Sequence, residues 1–185
     1  NFNRLHSFIA GLDKEKQRNL FKINKKINGK INLSVDKIYS KHTLINSFES
    51  QIELINGNIL INQLLANLKK LGAADITGVI NNEKKFSNFI FENNIFLDSQ
   101  KRFYNKFGIY NKEDSNINLF VSGNFDLINL VLRLNEIYDD KNFEDDDVSY
   151  VEKEFNDLLL EDGYKSLFNF SNVKEFVKLI SAEVN

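Results

Sequence analysis

IELINGNILINQLLAN, residues 52–67, is the stretch that decides the fold. Two apolar runs flank Asn56 and Gly57, which form the preferred centre of a type I′ turn because both residues tolerate positive φ. The simplest prediction is therefore an antiparallel hairpin over residues 51–67. A helix ending at Gly72 is the alternative for residues 60–70, because LLANLKKLG also has a helical spacing.

Alternation of apolar and polar residues continues on both sides of this hairpin. In GKINLSVDKIY, residues 29–39, Ile31, Leu33 and Val35 occupy one parity while polar residues occupy the other. A period of two is typical of a half-buried strand. In the segment 117–134 the parity of the apolar residues changes after Leu127. Further strands are predicted within residues 48–55, 74–82, 89–97 and 117–134, although residues 127–138 also fit a helical spacing.

Two short helices are predicted where a capping residue precedes a helical spacing. Asp13 can cap a helix that reaches residues 20–21. Either residue of the pair 98–99 can cap another, which passes through Phe107 and ends at Gly108.

The last third of the chain changes to helical patterning. Ser149-x-x-Glu152 has the form of a capping box, and Gly163 would end the helix that follows. Ser171 or Asn172 would cap a second helix with its own apolar stripe. Both helices are predicted to be amphipathic.

These elements predict an α+β fold. We expect a mostly antiparallel, curved β-sheet of about six strands, a short inserted helix and two C-terminal amphipathic helices. No linker is evident, so residues 1–185 are predicted to form a single domain, with a β-rich part at 25–135 and a helical part at 147–183. Because the first residue is Asn1 and not Met, we interpret the chain as a fragment of a longer protein.

The sequence contains few candidates for catalytic or metal-binding side chains. The chain has no Cys, which excludes disulfides, thiolate nucleophiles and cysteine-based zinc sites. His6 and His42 are the only histidines, and neither stands beside a catalytic or metal-binding motif. The acidic run 144–147 could bind a divalent cation. We expect instead that it favours a helix N-terminus, where acidic groups interact with the helix dipole. The sequence predicts no enzyme, no catalytic residue, no cofactor and no metal site.

Charge is distributed unevenly along the chain. The net charge is −2, yet residues 136–162 contain 12 acidic residues against Lys141 and Lys153. The bases among residues 14–30 could meet phosphate groups of lipid or nucleic acid. No aromatic RNA-binding motif accompanies them, so nucleic acid is not an expected partner.

Three segments carry a family resemblance. They are INGKINLSVDKI (27–38), IELINGNILINQLLANLKKLGAADITGVINN (52–82) and NLFVSGNFDLINLVLRL (118–134). Their order of amphipathic strand, glycine turn and glycine-containing strand resembles AsmA-type bacterial envelope proteins (AsmA/TamB-like). The resemblance covers residues 25–135, and it includes no catalytic motif.

The resemblance implies a function in envelope biogenesis. It implies a periplasmic protein anchored to the inner membrane by a segment upstream of this fragment, with phospholipid and other envelope proteins as partners. Phospholipid would move between the inner and outer membrane through an apolar β-groove. The alternative is a structural or protein-interaction β-domain with a closed core and no ligand, because both use the same alternation. The residues expected to line the groove are Ile31, Leu33, Val35, Ile52, Leu54, Ile76, Ile80, Phe89 and Phe91.

Overall fold

The structure, a computed structural model, describes residues 8, 11–38, 44–83, 86–112, 114–139, 143–160 and 162–183. Seven strands form one antiparallel sheet in which each strand pairs with the next along the chain, so β1 and β7 are its two edges. The strands are β1 (Gly29–Val35), β2 (Ser47–Ile55), β3 (Asn58–Asn67), β4 (Gly72–Asn82), β5 (Ser87–Leu97), β6 (Ile117–Asp126) and β7 (Val131–Tyr138).

Helices precede, interrupt and follow this sheet. The α-helices are α1 (Lys14–Arg18), α2 (Gln100–Lys106), α3 (Asp145–Leu160) and α4 (Phe170–Glu183). Short 3₁₀ helices occupy Lys69–Leu71 and Gly163–Phe168. The predicted α+β class, with an antiparallel sheet, an inserted helix and C-terminal helices, is confirmed, whereas the strand count is seven and not about six.

The additional strand comes from residues 117–134. The Asp126 carboxylate accepts hydrogen bonds from the backbone N–H groups of Ile128 and Asn129, both at 2.9 Å. Leu130 adopts a φ of 59°. This tight turn divides the segment into β6 and β7. The change of parity after Leu127 was the sequence signal of that turn.

The Asn56-Gly57 hairpin is confirmed. β2 pairs with β3, and the φ values of 52° at Asn56 and 89° at Gly57 are both positive, as a type I′ turn requires. The Asn82 side chain donates a hydrogen bond to the Gly57 carbonyl at 2.9 Å and so ties the turn to β4. The alternative helix over residues 60–70 is wrong except for the 3₁₀ turn at Lys69–Leu71.

Two predicted N-caps are confirmed. The Asp13 carboxylate accepts a hydrogen bond from the Lys16 backbone N–H at 2.8 Å, and the Ser99 hydroxyl accepts one from the Arg102 backbone N–H at 3.1 Å. Each bond satisfies a backbone donor that the first turn of a helix leaves free. The first helix ends before residues 20–21, so the prediction that it includes them is wrong.

The capping box predicted for α3 is wrong. The helix begins at Asp145, four residues before Ser149, and three acidic side chains lie in its first turn. Acidic groups at this position are favoured by the helix dipole, which accounts for the earlier start. Glu152 is thereby free to contact β7 instead of capping its own helix.

The start of α4 also differs from its prediction. The helix begins at Phe170, so Ser171 and Asn172 lie inside it. The Asn169 side chain accepts a hydrogen bond from the Ser171 backbone N–H at 3.0 Å. Gly163 follows the end of α3, where its φ of 59° begins the 3₁₀ helix.

The core lies where α3 and the second 3₁₀ helix cover the sheet. Phe155 and Tyr164 each pack edge-to-face against Phe125 with ring centroids 6.3 Å apart. The Tyr164 hydroxyl donates a hydrogen bond to the Leu127 carbonyl at 3.3 Å, and burial raises the pKa of Tyr164 above its ordinary value. The buried core residues are Ile59, Ile61, Ile80, Phe125, Leu127, Leu132, Leu159 and Tyr164.

Candidate functional site

All nine predicted groove residues lie on the same side of the sheet. Directly paired residues of antiparallel strands point their side chains to the same face. The register pairs Ile31 with Ile52, Leu54 with Ile59, and Ile80 with Phe89. We call this side the apolar face; it comprises Ile31, Leu33, Val35, Ile52, Leu54, Ile76, Ile80, Phe89 and Phe91 together with their partners Phe48, Ile59, Ile61, Leu64, Ala66, Ile95, Leu119, Val121, Phe125, Leu132, Leu134 and Ile137.

The exposure of the apolar face changes across the sheet. Ile80 is 4% exposed and belongs to the core, whereas Ile31 and Leu33 are 46% and 48% exposed. The other predicted groove residues are half-buried. The structure therefore brings the nine residues onto one surface, with one end covered by helices and the other open to solvent.

Gly78 makes room for an aromatic ring in the middle of this face. Gly78 and Gly123 pair with Phe91 from its two sides. A Cβ atom at Gly78 would lie 2.8 Å from Cε2 of Phe89 and 2.3 Å from the Ile90 carbonyl oxygen. The rings of Phe89 and Phe91 have centroids 5.4 Å apart. The missing side chain of Gly78 thus lets the Phe89 ring lie across the neighbouring strand.

Asn93 is a polar exception on this face. It pairs with Ile76 on one side and with Val121 on the other, so its amide lies among apolar neighbours. Its Oδ1 atom is buried and has no hydrogen-bond partner within the described part of the chain. A buried acceptor without a partner costs free energy, so Asn93 is a source of local destabilisation.

The edge at β7 is covered by α3 through side-chain hydrogen bonds. The Asn156 amide accepts from the Leu132 N–H at 2.7 Å and donates to the Leu132 carbonyl at 3.0 Å. The Glu152 carboxylate accepts from the Leu134 N–H at 2.8 Å. The two side chains are four helical residues apart, a rise of about 6 Å, which matches about 6.6 Å between alternate residues of a strand.

The edge at β1 has no such cover. Among the described residues no strand pairs with its outer side, and residues 29–34 are all exposed. Residues 22–35 contain four lysines and no acidic residue. The sheet therefore has an open edge at β1, which carries Lys30 and follows a lysine-rich segment, and a covered edge at β7, beside an acid-rich helix. With six spacings of about 4.8 Å between strands, the two edges lie about 29 Å apart.

The sequence patterns did not predict the roles of three residues at the sheet edges, which are Glu152, Asn156 and Lys30. Glu152 was assigned to a capping box, and Asn156 lies on the polar side of a helical pattern. The i, i+4 spacing of Glu152 and Asn156 is the one sequence signal for their contact with β7. It can be interpreted only once the neighbouring strand is known. Lys30 stood out only as one of several N-terminal bases.

Within the described ranges, no three His, Asp or Glu side chains lie close enough together to hold a metal ion. Asp145, Asp146 and Asp147 of the acidic run lie in the first turn of α3. His6 and His42 lie outside the described residues.

No protein-family model, curated protein or solved structure matches this chain. None of the helices in the described segments is both long and apolar enough to cross a membrane. The likeness to AsmA-type proteins thus depends on the residue pattern alone.

Proposed function

We propose that this chain is a non-enzymatic module of the bacterial envelope that holds the acyl chains of phospholipid along the apolar face of its sheet. In this role it guides phospholipid between the inner and outer membrane. The observation that carries the proposal is the mostly apolar face, which spans the seven strands and leaves Ile31 and Leu33 about half exposed at β1. Envelope location and transport are extensions from the AsmA-type resemblance.

The physical argument is the burial of hydrocarbon. Each methylene group removed from water contributes about 0.8 kcal/mol, so an acyl chain needs apolar area more than specific polar partners. Val35, Ile52 and Leu54 are half-buried and adjoin the two exposed residues. An acyl chain on these strands would remove both its own surface and theirs from water. Such a role requires no catalytic group.

The test is native mass spectrometry of the chain expressed in a bacterial envelope and purified gently. The parent is expected to carry phospholipid, and the variant Ile31→Asp/Leu33→Asp is expected to lose it. Because both side chains are exposed, this variant is expected to fold. Adding Val35→Asp would extend the change to a half-buried position on the same face.

The matched control is Asn32→Asp/Ser34→Asp. It adds the same two charges to the same strand, at exposed positions on the opposite face. The control should retain phospholipid. A folded parent without phospholipid would overturn the proposal, and so would equal loss of lipid from both variants.

A second candidate is a structural or protein-interaction domain whose apolar face serves only as a core. The buried row formed by Ile59, Ile80, Phe125 and Leu132 favours it. This alternative predicts a parent that carries no lipid in the same experiment. It also predicts that partners bind at the edges of the sheet and not on its face.

A further inference from the structure

We propose that the outer edge of β1 binds an acidic, amphipathic β-strand of a partner polypeptide, which becomes an eighth strand of the sheet. The inference does not depend on lipid binding. It follows from the backbone of β1, from the side chains on its two faces and from the charge beside it.

The backbone of β1 lacks the usual protection of an edge strand. Natural edges are blocked by proline, by bulges, by charged side chains or by a covering helix. The chain contains no proline, and the register from Gly29 to Val35 against β2 is unbroken. Lys30 is the only charged residue within β1. At β7, by contrast, Glu152 and Asn156 occupy the backbone groups that an added strand would need.

The side chains of β1 define what the added strand must carry. Ile31 and Leu33 are exposed on the apolar face, so the incoming strand needs apolar residues on that side. Lys30 lies on the opposite face, where its Nζ atom is 3.8 Å from Oε1 of Glu53 in β2. A strand on the other side of β1 can offer Lys30 a second carboxylate. Strand addition of this kind takes its affinity from main-chain hydrogen bonds and its specificity from alternate side chains.

The charge beside the edge favours an acidic partner. Lys30 is exposed in β1, and Lys26, three residues before the strand, is exposed as well, whereas Lys25 lies against Gly57 at the adjoining end of β2 and β3. No acidic residue occurs within residues 22–35. A second copy of this chain would present β1 with another strand that has no acidic residue. Complementary charge favours association and excludes partners of the same sign, so an acidic strand suits this edge better.

The chain itself contains a strand with the required pattern. β2, SFESQIELI, places Phe48, Ile52 and Leu54 toward the apolar face and Glu49 and Glu53 toward the other. β1 already pairs with this strand on its inner side. A peptide of the same sequence is therefore a suitable probe for the outer side.

The experiment measures binding of fluorescein-labelled SFESQIELI to the intact chain by fluorescence anisotropy. The control peptide SFKSQIKLI keeps the apolar positions and reverses the two charges. We expect the acidic peptide to bind at least tenfold more tightly, with the difference shrinking as salt is raised. The protein variant Lys25→Glu/Lys26→Glu/Lys30→Glu should reverse the preference between the two peptides.

Amide hydrogen exchange locates the binding site. Saturating peptide should slow exchange in Gly29–Val35 and leave Val131–Tyr138 unchanged. Asn32→Pro and Leu33→Pro form a matched pair, because neighbouring N–H groups of a strand point to opposite sides. The variant that removes an N–H group pointing away from β2 should weaken peptide binding while preserving stability. The variant that removes an N–H group pointing toward β2 should disturb the β1–β2 pairing.

Three results would overturn the proposal. They are the absence of peptide binding to the folded chain, protection that falls outside β1, and self-association of the chain through β1 in place of peptide binding. The charge-reversed variant changes only lysines outside the apolar face, so its phospholipid content tests the proposed function separately.

Discussion

The two edges of the sheet differ in whether their free backbone N–H and C=O groups are covered. At β7, a helix supplies side-chain donors and acceptors that occupy the free backbone groups of Leu132 and Leu134. At β1, residues 29–34 are exposed, and no described strand or helix occupies that side. Among the described residues, side chains of a helix thus protect the edge at β7, whereas the edge at β1 and the apolar surface beside it stay accessible.

The largest difference is expected when the same residue type is truncated in the buried core and at the open β1 end of the apolar face. Ile80→Ala is expected to lower the free energy of unfolding by about 3 kcal/mol, since it removes buried methylenes and leaves a cavity. Ile31→Ala should cost less than about 1 kcal/mol, because its side chain is already half exposed. Urea denaturation of both variants measures the difference. Equal losses would mean that the β1 end of the face is as buried in solution as the core.

The covering of β7 by α3 predicts the next largest effect. Asn156→Ala removes two hydrogen bonds to Leu132 and leaves its backbone N–H without this partner. We expect a loss of about 2 kcal/mol in the free energy of unfolding, since each bond contributes about 1 kcal/mol and an unsatisfied group adds to the cost. Exchange of the Leu132 amide should accelerate as well.

Asp157→Ala is the control for this variant. Asp157 is the next residue of α3, is exposed and pairs only with Lys153 at 3.4 Å among the contacts described. Surface pairs of this kind contribute less than about 1 kcal/mol. If Asn156→Ala were no more harmful than Asp157→Ala, the side-chain cover of β7 would not be a source of stability.

The same two edges show what the sequence could and could not predict. Alternation identified the strands and placed all nine predicted groove residues on one face, because the side-chain period of a strand is local. The turn at 127–130 was visible as a change of parity but was not interpreted as a turn. The bonds from Glu152 to Leu134 and from Asn156 to Leu132 span 18 and 24 residues. No local pattern carries such contacts, since they exist only once the helix has packed against the strand.

Asn93, in β5, has a side-chain oxygen that is unpaired within the described part of the chain. Replacing this residue is expected to cause a smaller change in the free energy of unfolding. Asn93→Leu keeps a similar shape and removes the buried acceptor that lacks a partner. We expect the free energy of unfolding to rise by about 1 kcal/mol, within the range for relieving an unsatisfied polar group. Thermal denaturation measures this shift. A clear loss of stability would show that the amide has a partner in solution, such as an ordered water.

The smallest effect is expected at the turn that leads into β7. Burial raises the pKa of Asp126, but hydrogen bonds from Asn129 and Ile128 outweigh it and hold the pKa below its ordinary value of 3.8. A carboxyl group with a lowered pKa stabilises the fold above its unfolded-state pKa, and this contribution is lost as pH falls through the folded-state value.

Asp126→Asn should therefore lower the free energy of unfolding slightly at pH 6 to 7, where the carboxylate contributes fully, and this deficit relative to the parent should disappear as pH falls below about 4. The effect is small because solvent screens a partly exposed carboxylate. NMR titration of the Asp126 carboxyl carbon measures the pKa directly, and Asn129→Ala should raise it by removing the side-chain bond of 2.7 Å. An unchanged pKa in Asn129→Ala would mean that the backbone donors alone stabilise the carboxylate. The turn would then be fixed by the chain path and would not depend on the Asn129 side chain.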